Sequence, residues 1–342
     1  MKILSIDTSC DDTCVAVLEV EGSQFKIISN IVSSQVKLHQ KYGGVYPSLA
    51  KREHQKNLPA VFEKAIENID FKKIDLIGVT AGPGLEPCLW QGINFANELA
   101  RKTKKPLIPV NHIEAHLLSS FLNKDQVLEF PVLALVVSGG HTQLILMKKV
   151  GQYKLIGETR DDAAGECFDK TARILGLGYP GGPIIAEIAA KFNQKENSIK
   201  LPRPMLKDQN YDFSFSGLKT AVLYNHKNQP EKVKRSLEYI QEMCFEIQQS
   251  IIDVLIKKTI KAAKDFKVKT IILGGGVAAN TELRKQFGER IKKETPNIKF
   301  YLPALQFCTD NAAMIGVAAY FNYLKNKKKK WREFSAQADL QI

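Results

Sequence analysis

Cysteine pairs, long apolar runs and a balancing acidic charge are all missing from this sequence. Its six cysteines are scattered without a C-x-x-C pair, which argues against a disulfide framework or a zinc knuckle. No stretch reaches the ~20 apolar residues that a membrane-spanning helix needs. The first residues, MKILSIDTSCDD, meet carboxylates too early for a signal peptide. These absences predict a soluble, reduced, cytoplasmic protein with no membrane partner.

Basic residues outnumber acidic residues in this sequence. The chain has 342 residues, which is long enough for one large or two medium domains. The 49 Lys and Arg against 36 Asp and Glu leave a net charge of +13. Two interpretations stay open: a solvated lysine-rich surface, or a surface for a polyanion, with nucleic acid as the first candidate. The lysines that cluster outside the motifs are Lys102, Lys104, Lys105, Lys257, Lys258, Lys261, Lys264 and Lys327 to Lys330.

Two stretches about 130 residues apart repeat the same order of predicted elements. KILSIDT, CVAVLEV and FKIISNIVSS are typical of three strands, and a helix follows from about Ser48 to Asn68. VLALVVS, TQLILMK and YKLIGET repeat this meander before a helix from about Gly165 to Leu175. The repeat predicts a two-lobed α/β protein built from duplicated βββα units, with a cleft between the lobes.

The remaining pattern sets the expected domain boundaries. Further strands are predicted at DLIGVTAGPG and TIILGGG, a long amphipathic helix at residues 236 to 265, and a last helix from about Asp310 to Leu324. We expect the first lobe at residues 1–110 plus 311–325. The second lobe, with insertions, is expected at 111–310, and a basic tail at 326–342.

Three turns carry glycines or hydroxyls that could wrap a phosphate. They are DTSCDDT at 7–13, VSGGHTQ at 137–143 and LGGGVAAN at 273–280. Two of them lie at the tips of the duplicated hairpins, which predicts a nucleotide held between the lobes. This is the plan of the actin, hexokinase and Hsp70 (ASKHA) superfamily. The first tip is acidic and has no lysine for a phosphate, so we expect a metal, a water or a repulsive wall there.

The segment VNHIEAH places His112 and His116 four residues apart, on one face of a helix. In a zinc peptidase the catalytic glutamate directly follows the first histidine. Here Glu114 lies about 200° around the helix from His112, so the peptidase interpretation fails. Packing remains the plain alternative. A third candidate ligand, Asp310, would complete a site for a Lewis-acid iron or zinc.

Segments that carry these features resemble the TsaD family in order and spacing along nearly the whole chain. They are IDTSCDDT, KYGGVYPSLAKREH, VNHIEAH, LVVSGGHTQL, DDAAGECFDKTARILGLGYPGGP, FSFSGLKTA, GGGVAANTELR and CTDNAAMIG. The family's members are tRNA N6-adenosine threonylcarbamoyltransferases, once described as O-sialoglycoprotein endopeptidases. The resemblance implies transfer of a threonylcarbamoyl group from threonylcarbamoyl-adenylate to N6 of adenosine 37 in tRNAs that read ANN codons, with release of AMP.

The resemblance also implies site residues, a cofactor and partners. The implied metal ligands are His112, His116 and Asp310, with Fe²⁺ expected and Zn²⁺ as the alternative. The residues implied to contact the donor, threonylcarbamoyl-adenylate, are Val136, Val137, Ser138, Gly139, Gly140, Asp169, Gly182 and Asn280. SGGHT is the bacterial form of its motif, and bacterial relatives work with a smaller paralogous TsaB-type partner and a TsaE-type ATPase. We therefore expect both accessory proteins here.

One segment departs from the family pattern, and one role is not set by it. GPGLEPCLWQG stands where relatives commonly read GPGLVGSL, which puts the local surface in doubt. No general base is evident, and Asp11 is the candidate. The rival functions are a small-molecule kinase or ATPase of the same fold, which would not need the histidines, and a non-catalytic partner protein, which would lack them.

Overall fold

A computed structural model describes residues 1–22, 24–123, 127–193, 198–325 and 334–342. The strands are β1 (Lys2–Asp7), β2 (Asp12–Glu21), β3 (Gln24–Ser34), β4 (Leu76–Gly82), β5 (Leu107–Asn111), β6 (Val132–Val137), β7 (Thr142–Lys149), β8 (Gln152–Glu158), β9 (Thr270–Gly274) and β10 (Lys299–Tyr301). The helices are α1 (Val36–His39), α2 (Pro47–Ile66), α3 (Glu86–Thr103), α4 (His112–Leu118), α5 (Ala164–Ile174), α6 (Gly181–Ala189), α7 (Ser216–Asn228), α8 (Glu231–Lys234), α9 (Leu237–Asp265), α10 (Thr281–Glu294) and α11 (Ala312–Lys325).

The chain divides into two compact units that share one sheet plan. The first unit comprises Met1–Val127 and Pro303–Ile342, and the second comprises Leu128–Leu302. The first sheet has the order β3-β2-β1-β4-β5 and the second β10-β9-β6-β7-β8. In both, an antiparallel three-strand meander is extended by parallel strands. The predicted α/β class and the duplicated βββα units are confirmed.

The first sheet is covered by helices on both faces. Leu4 and Ile6 of β1 point into a core shared with α2 and α3, whereas Ser5 points to the opposite face and donates to the Ala312 carbonyl at 2.6 Å. Helix α11 packs there very closely, because a Cβ on Gly78 would lie 2.6 Å from the Ala319 Cβ. A run of small residues in α11 therefore allows it to approach the sheet.

The observed unit boundaries differ from the sequence-based boundaries at 110/111 and 310/311. Residues 111–127 and 303–310 belong to the first unit. The reason is that β5 continues directly into α4, and α4 packs against α11. A second difference concerns Asp310, which precedes the last helix instead of opening it, since α11 begins at Ala312.

The end of the chain is not a simple basic extension. Lys327 to Lys330 lie outside the described residues, but the residues from 334 onward pack on the first unit. Gln337 N donates to the Ala81 carbonyl at 2.8 Å, and Gly84 N donates to the Ala338 carbonyl at 3.1 Å. Asn111 Nδ2 donates to the Gln341 carbonyl at 3.1 Å. This segment therefore covers the ends of β4 and β5.

Three of the four lysines of α9 contact other residues of the second unit, whereas Lys257 is exposed. Lys258 is 2% exposed, and its Nζ donates to the Asn210 carbonyl at 3.1 Å. Lys261 donates to the Gln209 carbonyl, and Lys264 pairs with Glu294 at 3.2 Å. These three lysines are therefore less available to an anion than the sequence pattern alone indicates. Within the described ranges, no helix combines the length and apolar character needed to cross a bilayer.

Candidate functional site

Helix α4 begins where the sequence provides a strong N-cap. The side chain of Asn111 accepts from Ile113 N at 2.8 Å and from Glu114 N at 3.1 Å, which satisfies two otherwise orphaned donors. One helical turn then places His112 and His116 on the same face, with ring centroids 4.7 Å apart and planes at 82°. Both imidazoles are buried, with residue exposures of 7% and 1%.

Asp310 comes to this pair from the other end of the chain. Its Oδ1 lies 3.3 Å from His112 Nε2 and 3.4 Å from His116 Nε2. One ligand atom from each of the three residues fits within a mutual distance of 4.8 Å. The structure thus brings together the three residues that the sequence selected, and all three belong to the first unit.

The donor set fits a divalent metal. Both ring nitrogens of His116 are buried, and neither makes a hydrogen bond of good geometry among the described residues; Nε2 only approaches Asp310 Oδ1, at 3.4 Å. A buried polar atom without a partner costs about 1–3 kcal/mol, so such an atom needs an explanation. Coordination by Nε2 would provide one for that atom. Two imidazoles and one carboxylate, with positions left open, form a set that suits Fe²⁺ and also Zn²⁺.

Two further residues hold His112 from behind. Asp7 Oδ2 lies 3.3 Å from His112 Nδ1, and Ser9 Oγ lies 3.3 Å from the same atom. A carboxylate beside Nδ1 favours a proton on that nitrogen, which leaves Nε2 available as a ligand. Sequence reasoning placed Asp7 only at an acidic tip and missed Ser9. Their i, i+2 spacing at the end of β1 was the available signal.

The metal-free cluster is electrostatically asymmetric. Burial opposes a charged His112, but the carboxylates of Asp310 and Asp7 outweigh it and raise the His112 pKa to about 10. Burial lowers the pKa of His116. Burial would raise the pKa of Asp310, yet the adjacent His112 charge holds it well below its ordinary value. His112 therefore carries the proton that a metal must displace.

The tip between β1 and β2 contains two carboxyl groups with raised pKa values. Burial raises the pKa of Asp11, the sequence candidate for a base. Burial also raises the pKa of Asp12 to about 7. His54 fixes the tip, because its Nδ1 lies 2.8 Å from Thr13 Oγ1 and its Nε2 lies 2.9 Å from the Cys10 carbonyl. Burial therefore makes both carboxyl groups of the tip more basic than an exposed aspartate.

Glu114 is engaged elsewhere, as its helical position required. Its Oε2 accepts from Asn322 Nδ2 of α11 at 2.9 Å. The side chain therefore joins two helices of the first unit, which agrees with the rejection of a peptidase site.

The second unit carries the glycine turns around the end of β6. Ser138 N donates to the His141 carbonyl at 2.8 Å, and Gly165 N of α5 donates to the Ser138 carbonyl at 3.1 Å. A Cβ on Gly275, where φ is +86°, would lie 2.4 Å from the Val137 carbonyl. In contrast, Gly139 and Gly140 are exposed, and a Cβ there would meet nothing within 4 Å. These two glycines leave an accessible backbone surface.

The other residues that are predicted to contact threonylcarbamoyl-adenylate also contact residues of the protein itself. Asp169 Oδ1 accepts from Gly181 N, the residue before Gly182, at 2.7 Å. Asn280 Oδ1 accepts from Leu283 N at 2.9 Å and caps α10. The Asn280 amide donates to Gln248 Oε1 at 2.8 Å. Val136 and Val137 are fully buried in β6, so only their backbone can contribute to a site.

Comparison with known proteins identifies the family. The TsaD family model, described as tRNA N6-adenosine threonylcarbamoyltransferase, matches residues 26–317. A protein of that name from Thermosipho africanus (strain TCF52B) is 49% identical over 328 residues, which cover 95% of each chain. Another from Persephonella marina (strain DSM 14350 / EX-H1) is 44% identical and covers 100% of this chain and 96% of its own.

Solved structures support the fold. Two HypF crystal structures match 95% of this chain, with TM-scores of 0.57 and 0.59 and identities of 12% and 11%. The match spans 48% and 56% of those chains, about half of their length. At this identity the similarity concerns the fold alone, and it agrees with the ASKHA plan. From the family match and the relatives, the chain belongs to the TsaD family, the tRNA N6-adenosine threonylcarbamoyltransferases.

Proposed function

We propose that this protein transfers a threonylcarbamoyl group from threonylcarbamoyl-adenylate to N6 of adenosine 37 in tRNAs that read ANN codons. The observation that carries the proposal is family membership along residues 26–317, joined to a buried cluster that could hold a metal. The kinase alternative would leave the two histidines and Asp310 without a role, and the fold similarity to HypF does not favour it.

In the first unit, His112, His116 and Asp310 would hold Fe²⁺, with Zn²⁺ as the alternative. A divalent ion bound there would supply Lewis-acid polarisation of an oxygen of the threonylcarbamoyl group. Asp7 and Ser9 keep the His112 ring oriented through contacts of 3.3 Å to Nδ1. Asp7 and Ser9 are buried, which keeps water away from these contacts and preserves their electrostatic strength.

In the second unit, the backbone at Ser138, Gly139 and Gly140 would contact the adenylate phosphate. Glycine suits this place because no Cβ blocks the approach to the backbone. Asp169 and Gly182 would contact the nucleoside part, and Asn280 the adenine side. Since Asp169 already accepts from Gly181 N, it would serve two purposes, holding α6 and binding a ribose hydroxyl.

The reaction needs one proton acceptor. As the N6 amine attacks the carbamoyl carbon, a C–N bond forms, the C–O bond to phosphate breaks, and AMP leaves with the electron pair. The proton lost from nitrogen would go to Asp11, whose pKa is raised by burial. Positioning and fixed charges would provide most of the acceleration.

The proposed setting follows from this chemistry. The enzyme would act in the cytoplasm, where tRNA is modified, with a TsaB-type paralogue and a TsaE-type ATPase as accessory proteins. The net charge of +13 favours binding of tRNA through phosphate contacts.

The direct test uses the purified protein, its accessory proteins, threonylcarbamoyl-adenylate and an ANN-decoding tRNA. Mass spectrometry of the digested tRNA should detect threonylcarbamoyl-adenosine and an equal amount of AMP. A matched tRNA with guanosine at position 37 is the control and should stay unmodified. ATP hydrolysis with a small acceptor, without modified nucleoside, would favour the kinase alternative instead.

A further inference from the structure

A stacked pair of exposed tyrosines lies on the first unit outside the metal cluster. The rings of Tyr42 and Tyr46 have centroids 5.9 Å apart and planes at 27°. The two residues are 60% and 56% exposed, so packing does not explain them. We call this pair the tyrosine platform. Exposed aromatic rings are suited to stacking against another planar group.

The segment that carries the platform is strongly cationic. Residues 35–56 contain a single carboxylate, Glu53, and the following exposed cations: Lys37, Lys41, Lys51, Arg52 and Lys56. None of these cations forms an ion pair or donates a side-chain hydrogen bond within the part of the chain that the structure describes. They differ in this from Lys258 and Lys264, which are engaged inside the second unit. The platform is therefore surrounded by charge that remains available for an anion.

Buried hydrogen bonds tie the platform to the reactive hairpin tip. Tyr46 N donates to His39 Nδ1 at 3.3 Å, so the other ring nitrogen, Nε2, carries a proton and donates to Gln35 Oε1 at 3.2 Å. Gln35 N in turn donates to the Asp11 carbonyl at 3.0 Å. Asp11 follows Ser9, whose Oγ contacts the metal ligand His112. The platform is thus fixed to the backbone that borders the cluster.

We propose that the tyrosine platform stacks against unpaired bases of the RNA substrate beside the target adenosine, while the surrounding cations contact the flanking phosphates. The inference rests on the proposed function and adds a recognition surface to it. Exposed rings within a cationic groove or patch form the usual means of binding single-stranded nucleic acid, because every base has a face that can stack. Paired bases hide those faces, so the platform would select the loop that contains adenosine 37 over a duplex.

The test measures RNA binding by fluorescence anisotropy with two labelled probes of equal length. One is an anticodon stem-loop of an ANN-decoding tRNA, and the other is a fully paired RNA duplex. Tyr42→Ala and Tyr46→Ala should each weaken stem-loop binding about five- to a hundred-fold, the effect of losing one stacked base. Tyr42→Phe and Tyr46→Phe should restore it, since the ring alone stacks. Duplex binding should be unchanged in all four variants.

Matched controls separate this inference from the proposed function. Tyr224→Ala removes a tyrosine of similar exposure, 59%, from the second unit and should leave stem-loop affinity unchanged. If wild-type protein forms threonylcarbamoyl-adenosine and the alanine variants bind the stem-loop as tightly as wild type, the platform inference is wrong and the function stands. Equal losses on stem-loop and duplex would mean that the rings do not distinguish unpaired bases, and would also overturn it. So would alanine variants that keep RNA affinity but lose an accessory protein, because the platform would then be a protein interface.

Discussion

The hairpin tips of the two units occupy equivalent places in equivalent sheets, yet their chemistry is opposite. The β1–β2 tip of the first unit is acidic, largely buried and adjacent to the candidate metal ligands. The β6–β7 tip of the second unit carries Gly139 and Gly140, both exposed and without a neighbour at the Cβ position. Two sheets of the same topology thus carry an acidic, largely buried tip in one unit and an exposed glycine tip in the other.

The difference shows how the same turn can be used in two ways. Clustered carboxyl groups disfavour a phosphate and favour a cation, because a nearby positive charge stabilises their ionised form. Exposed glycine backbone offers N–H groups to a phosphate without steric cost. Substitution at the first tip should therefore affect metal binding most, and substitution at the second tip should affect binding of the adenylate phosphate most.

The largest expected effect follows the loss of a candidate metal ligand. His116→Ala should lower metal affinity by more than about 100-fold, beyond the loss typical of outer-shell changes, and should abolish transfer. Binding of AMP by the second unit should persist, because AMP has no threonylcarbamoyl group to contact the metal. Inductively coupled plasma mass spectrometry measures the metal content, and calorimetry measures the AMP affinity. Glu114→Gln is the matched control on the same helix and should retain the metal, because Glu114 contacts Asn322.

A substitution at the proposed adenylate site should have the opposite effect. Binding of threonylcarbamoyl-adenylate should weaken, and the metal content should stay the same. Asp169→Asn removes the charge but retains an oxygen that can accept from Gly181 N. Loss of a charge-assisted hydrogen bond of about 1.5–3 kcal/mol should weaken threonylcarbamoyl-adenylate binding roughly ten- to a hundred-fold. Calorimetry would show this, while metal content stays at the wild-type level. Unaltered donor affinity would remove Asp169 from the nucleotide site.

The third prediction concerns pH. His112 in the metal-free protein holds its proton up to a pKa of about 10, and a metal must displace that proton. Zn²⁺ affinity, measured by competition with a chelator, should therefore rise roughly tenfold per pH unit above neutrality and level off near that pKa. Asp7→Asn should lower the pH at which the plateau begins. Affinity that is flat above pH 7 in the wild type would contradict the electrostatic account of the cluster.

The raised pKa of His112 also makes the stability of the metal-free protein depend on pH. The pKa of His112 is raised by folding, from 6.5 to about 10. Its pairing with the carboxylates therefore stabilises the metal-free protein fully below about pH 6.5, and this contribution is lost as the pH rises through about 10. Denaturant unfolding of chelated protein across this range should show the decline, and a His112→Gln variant should show less of it.

The smallest expected effect separates structural from functional glycines in the second unit. Gly275→Ala would place a Cβ 2.4 Å from the Val137 carbonyl at positive φ, and should lower the free energy of unfolding by about 1–3 kcal/mol. Gly139→Ala meets open space and should leave stability unchanged while reducing donor affinity. Urea unfolding and calorimetry distinguish the two. Equal stability losses would mean that the exposed tip has a structural role instead.

Local pattern was enough to predict the repeated meanders, most helices and the three candidate ligands. His112 and His116 could be predicted because helical spacing places them together. Asp310 could be predicted because the expected two-lobed plan brings the end of the chain back to the site. Contacts between segments distant in the sequence could not be predicted. The packing of residues 334–342 on β4 and the burial of Lys258 depend on tertiary structure, which local sequence does not encode. The role of Ser9 was missed for the same reason, since it depends on a residue 103 positions away.

We propose that His112, His116 and Asp310 hold one divalent ion on which transfer depends. The most direct test of this claim loads wild type and a His112→Ala/His116→Ala double variant with Fe²⁺ anaerobically, then measures bound iron and threonylcarbamoyl-adenosine formed on tRNA. We expect one ion per wild-type chain with modified tRNA, and neither ion nor product for a double variant that is still folded. A double variant with full metal content and the wild-type rate would contradict the claim.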